Sequence, residues 1–306
     1  MQILLTGSSG WLGQTLAPRL QQLGHKVIGL DPQAGPYTEF TGSIANAGLV
    51  RELIFDHQVE AVIHAGALHK PNIASHDYSA FVAVNIQGTL NLLQASVETG
   101  SPVRRFVMTS TTSLMISRAI RAGLKAGAQQ AQWIDENLQP LLPRNIYGVT
   151  KLSAEHLCRM FHEEHGLPVI ILRTSRFFPE EDDMSHQISQ SEANTKMNEL
   201  LFRRLTVEDA AESHVVALQQ ADEIGFDVFI VSAKTPFHRN DCKQLMHDAP
   251  AVVEKYFPSY PEIYRSKGWS MFQSIDRVYD ASRIEARLGF VCQTSFASAL
   301  QELARS

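Results

Sequence analysis

The chain has no surplus of positive charge. Its 27 Lys and Arg are outnumbered by 32 Asp and Glu, for a formal net charge of -5. That argues against a nucleic-acid binder, which carries a basic face. Cysteine is scarce: Cys158, Cys242 and Cys292 are widely spaced, which excludes a disulfide scaffold and a cysteine-based metal centre and fits a reducing cytoplasm. No apolar run approaches the roughly 20 residues of a membrane span. The first residues read as a strand and not as a signal peptide, so the expectation is a cytoplasmic protein with no membrane or nucleic-acid partner. The 12 histidines show no metal-ligand spacing: His64 and His69 are five apart, and His162 and His165 have no third partner. No metal is expected. What remains is an ordinary globular composition, 44% hydrophobic and 19% charged over 306 residues, enough for one large domain or a domain plus a lobe.

The most informative segment is the first. An apolar run, Met1-Gln2-Ile3-Leu4-Leu5, is followed at once by Thr6-Gly7-Ser8-Ser9-Gly10-Trp11-Leu12-Gly13 and then by an amphipathic stretch, 14–23. This reads as strand, glycine turn, helix. Glycines at 7, 10 and 13 let the backbone turn tightly and let a pyrophosphate approach the N–H groups at a helix start. A second apolar run, Lys26-Val27-Ile28-Gly29-Leu30, ends in Asp31, 18 residues after Gly13. A carboxylate at that position accepts the adenosine ribose hydroxyls and repels a 2′-phosphate, so the expected cofactor is NAD and not NADP. The same glycines could serve a plain turn and cap; the strand and helix around them favour the dinucleotide.

Strands and helices alternate through the first half. Helices are expected at 45–56, 78–99 and 145–165, with strands at 61–65, 105–109 and 169–173. Continuous apolar runs between helices imply a parallel sheet covered on both faces. A helix at 206–221 and a strand at 227–231 follow, then a less regular region with a terminal helix near 296–304. The expected architecture is an α/β, Rossmann-type doubly wound parallel sheet with a smaller, discontinuous C-terminal substrate lobe. Residues 1–173 plus about 205–235 would form the NAD domain, and about 174–204 plus 236–306 the lobe.

Tyr147-Gly148-Val149-Thr150-Lys151 lies in the helical stretch 145–165. Residues four apart share a helix face. An ammonium beside a phenol favours the phenolate and brings a group with an ordinary pKa near 10 toward use as a base. A Tyr-x-x-x-Lys pair also arises as a surface pair; here the glycine turn and Asp31 upstream favour catalysis. The run Thr109-Ser110-Thr111-Thr112-Ser113 ends a strand. A hydroxyl there can donate to a substrate oxygen, or cap the next helix.

These features together resemble an extended short-chain dehydrogenase/reductase of the NAD-dependent epimerase/dehydratase family. The resemblance covers most of the chain. It rests on Thr6 to Gly13, Asp31, His64-Ala65-Gly66-Ala67, Asn85-Ile86-Gln87-Gly88-Thr89, Thr109 to Ser113, Tyr147 to Lys151, the strand ending at Arg173, and Asp276-Arg277-Val278-Tyr279-Asp280 before Leu288-Gly289-Phe290. It implies Tyr147 as acid/base, Lys151 as its tuner and a ribose ligand, and Thr111 as the catalytic hydroxyl, with Ser110 and Thr112 one residue to either side. It implies cofactor contacts from Gly7, Ser9, Gly10, Trp11, Leu12, Gly13, Asp31, Ser43, Ile44, Ala65, Gly66, Ala67, Asn85, Thr109 and Ser110, with Ile44 beside the adenine. It also implies a homodimer built from helices 78–99 and 145–165, for which Leu152, Ala154, Leu157, Cys158 and Phe161 offer more apolar positions than one inward stripe needs.

Three departures bear on substrate. Thr111 and Tyr147 stand 36 positions apart, farther than in the family. The extra segment, 117–128, carries Arg118, Arg121 and Lys125 and no acid. A single helix would align those three on one face over the substrate entrance; a solvated helix or a dimer contact is the alternative. Arg176 occupies a place usually held by Asn and could pair a carboxylate or phosphate bidentately, or the acidic cluster 180–183. The stretch 179–203 is short, which weakens the case for a nucleotide handle; Arg203 and Arg204 could hold phosphate or pair with Glu208 and Asp209. His69 and Thr112 are further substrate candidates. The reading is an NAD-dependent oxidoreductase, or isomerase by returned hydride, of the epimerase/dehydratase type, acting on a sugar-like carbinol. The alternatives are a net dehydrogenase or ketoreductase of a smaller, anionic, non-nucleotide substrate, and a non-catalytic NAD-sensing regulator.

Overall fold

In the computed structural model, which describes residues 1–177 and 190–305, the apolar runs form strands without alternation of buried and exposed positions. The chain begins with β1 (Gln2–Thr6), α1 (Trp11–Gln22), β2 (Lys26–Asp31), β3 (Phe40–Thr41), α2 (Ala47–Asp56) and β4 (Ala61–His64). It continues with α3 (Tyr78–Phe81), a π-helical segment (Val82–Gln87), α4 (Gly88–Val97), β5 (Arg105–Thr111), α5 (Arg118–Ala122), β6 (Gln132–Ile134), α6 (Ile146–His165) and β7 (Val169–Thr174). After these come α7 (Glu192–Glu199), α8 (Val207–Ile224), β8 (Phe226–Val231), α9 (Cys242–His247), α10 (Ala249–Tyr256), α11 (Tyr260–Lys267), β9 (Arg277–Tyr279), α12 (Ser282–Leu288) and α13 (Phe296–Arg305).

Seven strands form one sheet in the order β3-β2-β1-β4-β5-β7-β8. The pairings from β3·β2 across to β5·β7 are all parallel. β4 and β7 are buried at every position, as a sheet with helices on both faces requires. The chain winds outward from β1 to β3 and then returns to β4 on the other side of β1, which makes a topological switch point where ligands of such sheets bind. Thr6 pairs with both Leu30 and His64, so Gly7, Asp31 and Ala65 emerge side by side at that edge. The doubly wound sheet expected from the sequence is the one found.

The chain divides into two compact units. The first is Met1–Met115, Pro143–Thr174 and Ala210–Phe229; the second is Ile116–Leu142, Ser175–Asp209 and Ile230–Ser306. The first holds an apolar core that includes Leu4, Ile28, Val62, Leu92, Phe106 and Ile171. The second has its own core, with Leu201, Leu245, Val253, Tyr264 and Phe296, and a small sheet in which β6 pairs with β9 in parallel. The sequence expectation assigned 116–142 to the first unit because both ends of that segment return there. The structure places it in the second, where β6 pairs with β9.

The basic segment also differs from expectation. Ser117 caps α5 by accepting the Ile120 N–H, but the helix stops after five residues at Gly123, whose φ of 52° is left-handed. A separate tight turn, Gly123–Ala126, carries Lys125. Arg118, Arg121 and Lys125 therefore do not share one helical face.

Candidate active site

The glycine turn after β1 is built by close backbone approaches. Gly7 has φ 76°, and a Cβ there would lie 2.7 Å from the Gly66 nitrogen. A Cβ on Gly13 would lie 2.2 Å from the Gly7 carbonyl oxygen. Gly10 caps α1 in an extended conformation with no side-chain cap, so the first-turn N–H groups and the positive end of the helix dipole remain available to an anion. Asp31 accepts the Gln33 N–H at 2.8 Å and the Ser9 N–H at 3.2 Å, which fixes its carboxylate beside the turn. The Ser9 hydroxyl is held by the Gln33 carbonyl and Thr38, and Ser8 also reaches Thr38. Thr38 thus locks the turn, a role that no local pattern announces. Trp11 is exposed at the helix start and Leu12 is buried.

The next strand ends complete the cradle. Gly66 donates its N–H to Thr6 Oγ1, and Ala65 donates to the Thr6 carbonyl; Ala67 follows in the same partly buried segment. The Ser43 hydroxyl accepts the Ala45 N–H. Ile44 is buried against Gly88, where a Cβ would come within 2.5 Å of its side chain. His64 bridges Thr6 and Thr89; burial, with Lys151 adding to it, holds its pKa well below the usual value. Asn85 lies in the π-helical segment and is buried. Its amide pairs with Leu68 in both directions and donates to the Thr150 hydroxyl. It therefore clamps the loop after β4 to α6.

Asn145 starts α6 by accepting the Gly148 N–H, and Gly148 is required because a Cβ would meet Pro143 at 2.8 Å. Tyr147 and Lys151 then stand one turn apart. Lys151 is 2% exposed; burial lowers its pKa to about 8, while Cys158 and Glu155 oppose the shift. The His69 ring lies 6.1 Å from the Tyr147 ring, and burial plus the charge of Lys151 bring its pKa down to about 4. His69 is thus a neutral neighbour of Tyr147.

The helix α6 packs on β5 and the turn after it, where four successive hydroxyls have separate partners. Thr109 meets His214 at 2.7 Å. Ser110 donates to Glu155 at 2.5 Å. Thr112 donates to the Thr174 carbonyl at 3.4 Å. Thr111 accepts the Ser113 N–H at 3.1 Å, and among the described residues no hydrogen bond uses its own proton. Thr109 and Ser110, implied as cofactor contacts, have their side chains committed inside the protein.

The arginines of the second unit meet at one buried acid. Glu199, fully buried, pairs with Arg203 at 2.7 Å, Arg204 at 2.8 Å and Arg176 at 3.9 Å. Asp209, one of the partners expected for Arg203 and Arg204, accepts the Gln293 and Thr294 N–H groups. The cluster 180–183 lies outside the described residues. Arg118 and Arg121 also belong to the second unit. Among the described residues no group of three or more His, Cys, Asp or Glu is arranged to hold a metal, and no helix is long and apolar enough to cross a membrane.

Residues 3–231 match the NAD dependent epimerase/dehydratase family. The chain belongs to that family. A relative, the uncharacterized UDP-glucose epimerase YtcB of Bacillus subtilis (strain 168), is 32% identical over 195 residues, which cover 56% of this chain and 55% of the relative. The chain thus spans about half the length of the curated relatives it matches. Among solved structures, a short-chain dehydrogenase/reductase superfamily protein from Agrobacterium tumefaciens with bound NAD superposes with a TM-score of 0.68 at 24% identity, covering 100% of this chain and 96% of that one. The UDP-glucuronic acid 4-epimerase from Bacillus cereus in complex with UDP-glucuronic acid and NAD gives a TM-score of 0.66 at 22% identity, covering 98% and 97%. These structural likenesses establish the shared fold. The family is NAD-dependent by its own description, and the cradle has room for that dinucleotide: a Cβ on Gly7 or Gly13 would collide with backbone, and the Asp31 carboxylate stands beside the turn.

Proposed function

We propose that the protein is an NAD-dependent oxidoreductase of the epimerase/dehydratase type that acts on the carbinol of a sugar or sugar derivative. The observation that supports it most is the Tyr147/Lys151 pair on α6, with Lys151 buried and Thr111 keeping its hydroxyl proton at the end of the strand against which α6 packs. Bound NAD supplies a hydride acceptor at its nicotinamide ring. Gly7, Gly10 and Gly13 receive the pyrophosphate at the start of α1, and Asp31 orients the adenosine ribose. Thr111 donates a hydrogen bond to the substrate oxygen. Tyr147, as phenolate, removes the proton from that oxygen while the carbon loses hydride, and returns it in the reverse direction. Lys151 stabilises the phenolate through its charge.

The test uses purified protein, NAD and a panel of sugars, sugar acids and nucleotide sugars, followed by NADH absorbance and product analysis. Isomerised or dehydrated product without net NADH supports the proposal. Net NADH would replace it with a dehydrogenase of the same site. NAD binding with no conversion of any panel member would point to a sensing role and sink the enzymatic reading.

We also propose a homodimer through the α3–π segment and α6, which pack together within the first unit. The residues that support it differ from those expected. Ala154, Cys158 and Phe161 are buried in their own core, whereas Tyr78, Val82, Val149 and Met160 are exposed apolar side chains on these same elements.

A further inference from the structure

The face of α6 that carries Tyr147 and Lys151 continues one turn further to Glu155. This carboxylate is 5% exposed. Arg173, near the end of β7, grips it bidentately: Nη2 donates to Oε2 at 2.7 Å, and Nε donates to Oε1 at 3.0 Å. The Ser110 hydroxyl donates to Oε1 at 2.5 Å. Ser110 immediately precedes Thr111. One carboxylate therefore joins the helix of the acid/base pair, the strand end of the substrate hydroxyl, and β7.

We propose that Glu155 is a positioning residue for proton transfer: anchored by Arg173 and Ser110, its carboxylate keeps the Lys151 ammonium charged and ties the Thr111 strand end to the Tyr147 helix. This rests on the reading of Tyr147, Lys151 and Thr111 given above. A buried ammonium needs a counter-charge, because desolvation favours the neutral amine. The groups around Lys151 leave few candidates. On α6 itself they are Tyr147, Glu155 and Cys158. Burial pushes the Cys158 thiol far up, so it is uncharged at neutral pH. From β4 and the segment after it come His64 and His69, both held neutral by burial. From β7 comes Arg173, whose charge is opposed by Glu155 itself. Glu155 is the carboxylate in this set. Lys151 and Glu155 stand four apart on α6 and both are buried, so their charges act on each other with little screening by water.

The test measures Lys151 directly and needs no substrate. The protein is produced with ¹³C-labelled lysine, the Lys151 side-chain signal is assigned by its loss in Lys151→Arg, and it is titrated by NMR. The wild-type midpoint is expected near 8. Glu155→Gln, which preserves shape and hydrogen-bond acceptance, should lower that midpoint by about one pH unit or more, a tenfold loss of proton affinity. Glu155→Asp, which keeps the charge, should restore most of it. Should Glu155→Gln fail to fold, Glu155→Asp carries the test, with a smaller downward shift and a lowered kcat at unchanged KM. In active protein the alkaline limb of the kcat profile should move down in step with the NMR midpoint. A loss of kcat with a midpoint moved by less than about a third of a unit would reduce Glu155 to a structural brace and overturn the proposal. A shifted midpoint in protein that converts no sugar would instead leave the coupling standing and count against the enzymatic reading.

Discussion

Thr109, Ser110, Thr111 and Thr112 carry the same hydroxyl on successive residues, yet their surroundings give them different work. Three are engaged with His214, Glu155 and the Thr174 carbonyl, and Thr111, which accepts the Ser113 N–H, is the one proposed to meet a substrate oxygen. The sequence singled out Thr111 through its resemblance to the family, with Ser110 and Thr112 beside it. The partners that occupy the neighbouring hydroxyls lie 45 to 105 positions away, so no local pattern announces them. That Tyr147 and Lys151 share one helix face was legible from their spacing, and the same stripe extends to Glu155, a signal that spacing could have supplied. Tyr147→Phe should lose about 10²–10⁴ in kcat with little change in NAD affinity, the size of an acid/base contribution. Thr111→Ala should cost less, and Thr112→Ala least. Steady-state kinetics beside NAD fluorescence titration check this. Near-normal turnover in Tyr147→Phe, or a crippled Thr112→Ala beside a healthy Thr111→Ala, would contradict the assignment.

At the scale of elements, the long periodic segments were readable and the short ones were not. β3, β6 and β9 have two or three residues each, too few to show a period; β3 exists through pairing with β2, and β6 and β9 through pairing with each other across more than 140 positions. The stretch 78–99 reads as one helix because its apolar spacing stays helical; the π turn at Val82–Gln87 is a choice of hydrogen-bond partner that spacing does not encode, and such turns recur at functional sites. The basic stretch reads as continuous helix until Gly123 takes a left-handed φ. The glycine turn was the most legible element, and it yields a sharp expectation. Gly13→Ala places a methyl 2.2 Å from the Gly7 carbonyl oxygen and 2.7 Å from Ser8 Cα. A forced backbone shift of this kind costs about 1–3 kcal/mol, so calorimetry should show NAD affinity reduced about 5- to 150-fold. Gly48→Ala, whose new methyl would meet only the Asn46 side chain at 3.4 Å, should bind NAD as the parent does. Equal affinities for both variants would mean that the turn does not carry the pyrophosphate.

For the whole molecule, three histidines set a pH dependence. Burial lowers His69 and His214 to about 4 and holds His64 well below its ordinary 6.5. The unfolded chain binds these protons first, so the stability they support is complete above about pH 6.5 and is lost as pH falls toward the folded value. For His214 the full effect is about 3 kcal/mol. Denaturant midpoints should therefore drop steeply between neutral pH and pH near 4, and His214→Gln should flatten that slope. An equally steep slope in the variant would mean that other groups dominate. Light scattering should give a dimer mass at micromolar concentration, and Tyr78→Glu combined with Met160→Glu, which charges two exposed apolar positions, should give a monomer. A monomer mass for the parent would end the dimer proposal.

The route of the chain also governs how its gene can be cut. The polypeptide passes from one unit to the other five times, since each unit is assembled from three separate segments. No single truncation point yields a foldable half. A fragment restricted to 3–231 would keep β6 while deleting its strand partner β9, and would strip Tyr264, Phe296 and Leu300 from the second core. Chimeras with a relative would have to exchange three segments together, and circular permutation would fare best with new termini at open glycine turns such as Gly24 or Gly100, where no other atom crowds the backbone.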